Sequence, residues 1–176
     1  LIIKTFFVQA FFIPSESMVP TLEIGDRVLV NKLVYDFGDP QRGDIIVFEN
    51  PNLVDPERNP FADVWNWLIE GLGFSTDPEK DFIKRVIGLP GETIEVKHGE
   101  VFIDGQGIQE PYVGEASVDD FPPTEVQDDH VFVMGDNRPN SQDSRSSLGQ
   151  IPVDKVVGKA FVLLWPPSRF GWLSGD

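Results

Sequence analysis

An all-β fold with an antiparallel core is predicted by three features of this 176-residue sequence. Short runs rich in β-branched and aromatic residues recur along the chain. Gly, Pro, Asp and Asn punctuate them, and no helical pattern alternates with them. The runs are residues 26–31, 44–48, 93–97, 100–104, 130–134 and 159–164, and 81–91 carries a further apolar strand. Lys97-His98-Gly99-Glu100 reads as a hairpin turn and Asp104-Gly105-Gln106-Gly107 as a second turn. Residues 61–71 alone have helical spacing, through Trp65, Leu68 and Ile69, with Gly71 as a stop. Residues 1–13 are apolar apart from Lys4, Thr5 and Gln9, and are too few to span a bilayer, which takes about 20. They read as an edge strand of the core, as the stub of a membrane anchor, or as both.

Two stretches leave this rhythm. Residues 51–81 are rich in Pro and Asp, and residues 110–129 hold Glu115, Asp119, Asp120, Glu125, Asp128 and Asp129 with no Lys or Arg. The acidic run lacks the alternating spacing and glycine of a calcium loop, so no metal is expected there. With 29 acidic against 14 basic residues and a net charge of −15, the chain is not a general nucleic-acid binder. The absence of cysteine excludes disulfides, a thiolate nucleophile and thiolate metal ligation.

A nucleophile in this chain must therefore be Ser, Thr, Lys or a carboxylate, with a base to activate it. His98 falls in a turn and His130 opens a strand after an acidic loop, which makes both poor bases. Lysine remains, and three segments supply what it needs. In Ile13-Pro14-Ser15-Glu16-Ser17-Met18-Val19-Pro20, two prolines bracket hydroxyls at Ser15 and Ser17; a plain Pro/Ser turn has the same composition. Lys84 sits among Phe82, Ile83, Val86 and Ile87, and strand alternation puts Lys84 and Arg85 on opposite faces, so that one should face inward. At its ordinary pKa only about one lysine in two thousand is neutral at pH 7, and burial raises that fraction. Residues 135–145 form a dense polar loop directly after an apolar strand.

Together these segments resemble the bacterial type I signal peptidases, a Ser/Lys dyad protease family. Pro14-Ser15-Glu16-Ser17-Met18-Val19-Pro20-Thr21 resembles the family's nucleophile box, Arg42-Gly43-Asp44-Ile45-Ile46-Val47-Phe48 its intermediate strand, and Lys84-Arg85-Val86-Ile87-Gly88-Leu89-Pro90-Gly91-Glu92 its lysine box. Gly135-Asp136-Asn137-Arg138-Pro139-Asn140-Ser141-Gln142-Asp143-Ser144-Arg145 resembles its late box, and all four stand in family order.

The resemblance implies Ser17 as nucleophile and Lys84 as general base, with an oxyanion hole made by the Ser17 N–H and the Ser15 hydroxyl. It implies that Ser141 hydrogen-bonds Lys84, and that Asp143, Arg145 and Arg85 brace the site as one ion cluster. Ile13, Leu22 and Ile83 would line pockets for the small side chains of an Ala-X-Ala cleavage motif. The implied fold is a β core of the signal-peptidase type, residues 1–92 and 130–176, with a smaller β domain inserted at 93–129. Residues 51–81 form an insertion longer than the family minimum. No metal or cofactor is implied. The implied partners are the signal peptides of exported preproteins and the membrane surface, with the catalytic domain extracytoplasmic and the anchor missing from this fragment. Trp65, Trp67, Trp165 and Trp172 are candidates for apolar membrane contact, with Phe11 and Phe12 beside the serine loop; core packing is the alternative, above all for Trp165, and Trp65 and Trp67 are expected at the interface. Two rivals stand beside this reading: a self-cleaving repressor-like Ser/Lys protease and a non-catalytic peptide-binding β module. Neither a helix-turn-helix nor an internal Ala-Gly or Cys-Gly bond is visible to favour the first.

Overall fold

A computed structural model describes residues 7–52, 81–117 and 119–173. Among them lie twelve strands. These are β1 (Val8–Phe12), β2 (Arg27–Asn31), β3 (Ile45–Glu49), β4 (Asp81–Gly88), β5 (Thr93–Lys97), β6 (Glu100–Ile103), β7 (Gln106–Gly107), β8 (Phe121–Glu125), β9 (His130–Met134), β10 (Ile151–Pro152), β11 (Val156–Trp165) and β12 (Gly171–Trp172). Eight build one sheet in the order β1-β2-β11-β3-β4-β9-β10, with β12 on β11; the other four form a small sheet in the order β7-β6-β5-β8. The strand pairs are antiparallel.

The centre of the large sheet is buried on both sides, and the period of two shows how. In β3, Ile45 and Val47 join one apolar cluster with Phe11, Met18, Leu22 and Ile83. The alternate residues Ile46 and Phe48 join another with Val86, Val131 and Val133. Strand β9 likewise sends Val131 and Val133 to the second cluster, and Phe132 and Met134 to a third. That third cluster also contains Ile94, Val96, Val101 and Ile103, so the small sheet closes over the large one through a shared core.

The hairpin turns have a local cause. His98 and Gly99 have φ of 51° and 83°, and Asp104 and Gly105 have 51° and 79°. Two successive positive φ values suit the twist of the flanking strands. At Gly158 a side chain is excluded: a Cβ there would stand 2.3 Å from the Asn31 carbonyl oxygen, so glycine lets β11 cross β2 closely.

Two features differ from the sequence expectation. Strand β8 lies inside the acidic stretch read as an excursion; its Pro122 and Pro123 hid it, and they are tolerated because β8 is an edge. Lys84 and Arg85 are both buried rather than one of them, since this strand is covered on both faces. The expected helix at 61–71, with Trp65 and Trp67, and nearly all of 51–81 lie outside the described residues.

Candidate active site

Strands β1 and β2 flank the loop that carries Ser17. Ile13 N–H donates to the Asp26 carbonyl and Gly25 N–H to that of Ile13, which closes the loop at its base. Met18 and Leu22 anchor it in the core with no exposed surface, and the Leu22 N–H donates to the Met18 carbonyl. Loop and core are therefore one packed unit, and Ser17 is held at 6% exposure.

Strand β4 brings Lys84 to meet it. The Lys84 Nζ donates to Ser17 Oγ at 2.6 Å and to the Ile83 carbonyl at 2.9 Å. The lysine is 3% exposed, and its pKa is lowered from 10.5 to about 8. Burial is the cause, opposed by the Asp143 and Asp136 carboxylates. At pH 7 about one amine in ten is then neutral, against about one in three thousand for an ordinary lysine. Ser15, exposed on the same loop, has its Oγ 3.4 Å from that of Ser17. Among the described residues no backbone carbonyl engages the Ser17 N–H.

The polar loop after β9 supports this pair. Asn137 N–H donates to the Ser17 carbonyl and Asn137 Nδ2 to that of Glu16, both at 3.0 Å. Gly135 has to be glycine: a Cβ there would lie 2.2 Å from Ser141 Oγ and 2.4 Å from the Ser17 carbonyl oxygen. Asp143 accepts from the Gly135 N–H at 3.0 Å and is forked by Arg145 at 2.9 and 2.8 Å. Burial pushes the Asp143 carboxyl upward, but Arg145, the Gly135 N–H and the nearby Ser141 hydroxyl outweigh it and hold the pKa below the usual value.

The structure revises three expectations. Ser141 forms no hydrogen bond to Lys84; its Oγ is buried against Gly135 and Asp143, while Ser17 and the Ile83 carbonyl take the amine. Arg85 does not join Asp143 and Arg145. It forks Asp136 instead, at 2.9 and 2.7 Å, with both side chains all but sealed from solvent. Leu22 is packed in the core beneath the loop, not in the lining of the depression that Ile13 and Ile83 share. Ile13 and Ile83 do line a shallow depression, between the end of β1 and the start of β4. His98 sits in the β5–β6 turn, and His130 Nδ1 pairs with the Asp128 carbonyl.

Sequence reasoning passed over Asp136, although it lay in the polar run, and missed Thr21, whose Oγ1 donates to Asp136 Oδ2 at 2.5 Å. It quoted Asn137 and Arg138 in the late box without giving them a role, and missed Glu110 and Tyr112. Glu110 and Tyr112 carried no signal, because the arginines they meet, Arg138 and Arg85, lie 28 and 27 positions away in the chain.

The sequence profile of the family described as signal peptidase, peptidase S26, matches residues 1–165. A signal peptidase I of Leptolyngbya laminosa is 43% identical over 171 residues, 97% of this chain and 75% of that protein. Another, of Mycobacterium tuberculosis, is 36% identical over 203 residues, covering 97% of this chain and 69% of the relative. A solved signal peptidase I of Enterococcus faecalis aligns with a TM-score of 0.47 at 27% identity, over 69% of this chain and 97% of its own.

The depressed lysine pKa has a measurable consequence for stability. Between about pH 8 and 10.5 the unfolded chain holds a proton on Lys84 that the folded chain has released, so stability rises with pH across that window. Below it the penalty of the buried ammonium is fully present, at about 3 kcal/mol. Lys84→Met is expected to raise unfolding free energy at pH 6–7, with the gain shrinking towards pH 10. Denaturant melts across this range check it, and a difference independent of pH contradicts it.

Proposed function

Because the chain belongs to the signal peptidase family, peptidase S26, and is a signal peptidase I, we propose that Ser17 is its nucleophile and Lys84 the general base. A signal peptidase I is a serine endopeptidase, and its substrates are preproteins carrying signal peptides. The observation that carries the assignment is the 2.6 Å hydrogen bond between two buried groups, the Lys84 amine and the Ser17 hydroxyl. A lysine in water has no comparable supply of neutral base at neutral pH.

The reaction then runs as follows. Neutral Lys84 takes the Ser17 proton while Oγ attacks the scissile carbonyl carbon. The resulting oxyanion is met by the Ser17 N–H and the Ser15 hydroxyl, each such donor contributing roughly 3 kcal/mol to transition-state stabilisation. The Lys84 ammonium passes its proton to the leaving amine, the C–N bond breaks, and an ester on Ser17 remains. Lys84, neutral again, takes a proton from water as it attacks the ester, and returns that proton to Ser17 Oγ as the acyl C–O bond breaks and the acid leaves. Asp143 with Arg145, and Arg85 with Asp136, brace the loops without exchanging protons with substrate. Ser141 supports them by its packing against Gly135.

Ile13 and Ile83, facing the depression between β1 and β4, suit the small side chains of an Ala-X-Ala motif. Residues 93–129 act as a smaller unit carried on the core of 1–92 and 130–176. Ser17→Ala and Lys84→Ala are each expected to cut cleavage of a labelled Ala-X-Ala peptide to under about 1% of parent, with an unchanged far-UV spectrum. Substantial cleavage by either folded variant sinks the dyad.

Signal peptidase I enzymes are membrane proteins; among the described residues no helix is long and apolar enough to cross a membrane. We assign membrane contact by the described residues to an apolar rim beside the Ser17 loop, on the extracytoplasmic side. Phe12 and Trp165 stand in register on either side of Arg27, and Trp172 pairs across from Val162. Trp165 is 52% and Trp172 77% exposed, and Phe170, two residues before Trp172, and Ile24, three before Arg27, are exposed as well. Amphipathic tryptophan suits the headgroup layer. With a net charge of −15, contact has to be apolar and insensitive to salt. Trp165→Ala/Trp172→Ala is expected to lower flotation with zwitterionic liposomes at least fivefold. Flotation equal to the parent's, or none by the parent, rules the rim out.

A further inference from the structure

The small sheet reaches the catalytic loops through the segment that leaves β7. There the Tyr112 hydroxyl donates to Glu110 Oε1 at 3.0 Å. The two Glu110 oxygens receive the Arg138 guanidinium as a fork, at 2.9 and 2.7 Å. Both members of that ion pair are buried, at 1% and 8% side-chain exposure. The Tyr112 ring lies 3.9 Å from the centre of the Arg85 guanidinium, the group that forks Asp136. Burial, reinforced by the Glu110 carboxylate, keeps the Tyr112 phenol protonated.

Residues 110 and 112 therefore seat two arginines, and these hold the positions on either side of Asn137. Arg85 holds Asp136 by its carboxylate. Arg138 is itself the next residue, and its Nε also donates to the Gly135 carbonyl at 3.0 Å. Asn137, between them, makes the two hydrogen bonds that fix the backbone of Glu16 and Ser17. The same segment touches the serine loop's flank, since Glu115 bridges to Asn137 and a Cβ on Gly114 would meet Pro20 at 3.1 Å.

We propose that Glu110 and Tyr112 are positioning residues for the Ser17–Lys84 pair, acting through Arg138, Arg85 and Asn137. The proposal rests on the assignment of Ser17 and Lys84 as nucleophile and base. Removing the Glu110 charge leaves Arg138 buried without its counter-ion, and the 135–138 loop has to shift to hydrate or re-pair it. A displacement of about 1 Å at the reacting hydroxyl lowers turnover roughly 100-fold.

The test is steady-state cleavage of an Ala-X-Ala peptide, per folded molecule and well below the melting midpoint. Glu110→Gln and Tyr112→Leu are expected to lower kcat at least tenfold with KM within twofold of parent. Tyr112→Phe, which keeps the ring over Arg85, retains at least half of kcat. Glu110→Gln combined with Tyr112→Leu falls well short of the product of the single effects, because both act through one loop. Lys97→Ala, in the same small sheet but remote from the segment, cleaves as the parent does. If Glu110→Gln does not fold, Glu110→Asp, which keeps the charge but withdraws it by one methylene, is read against the same limits. Parental kcat with only a lower melting midpoint in these variants, alongside an inactive Ser17→Ala, overturns the positioning role and leaves the dyad standing. An active Ser17→Ala overturns the dyad and the positioning role with it.

Discussion

Keeping the Lys84 amine out of water is the constraint on which the rest of the molecule depends. An ammonium there is stripped of hydration, and among the described residues no carboxylate forms an ion pair with it. Two carboxylates, Asp136 and Asp143, are close enough to raise its pKa, against the larger effect of burial. Each is forked by its own arginine, Arg85 or Arg145. The cost of burial outweighs both acids, and the pKa falls to about 8. The amine that we propose as base therefore lies beside two acids, each paired and held in place by an arginine.

This explains why so much polar material is buried in so small a volume. Arg85, Asp136, Arg138, Asp143 and Ser144 are all inside, each with hydrogen bonds, and a half-satisfied version of the cluster would be worse than an apolar core. Backbone groups close it, among them Gly43, which accepts from Arg85, and the Gly135 N–H, which donates to Asp143. The small sheet supplies Glu110 and Tyr112 from outside the large sheet, so the two sheets are joined by charge as well as by their shared apolar core.

Much of this was legible in the sequence, for reasons that are local. Turn glycines, β-branched runs and prolines around Ser15 and Ser17 act over a few residues, so the main strands and the serine loop could be read directly. Lys84 was marked by its apolar neighbours. What escaped depended on partners distant in the chain. The Arg85–Asp136 fork joins residues 51 positions apart and the Arg138–Glu110 fork residues 28 apart. Alternation alone says that Lys84 and Arg85 face opposite ways, but not that both faces of β4 are covered. Edge strand β8 was hidden by its own prolines and acids, which mark an edge as readily as a loop.

The proposed chemistry requires Lys84 to work as a neutral amine, and the pH dependence of kcat/KM for an Ala-X-Ala peptide tests this most directly. A single ascending limb with its midpoint near pH 8, reaching a plateau above it, is the expected result. A limb centred near 6.5, as an ordinary histidine gives, or a rate still climbing in proportion to hydroxide up to about pH 10, as an unperturbed lysine gives, would contradict it.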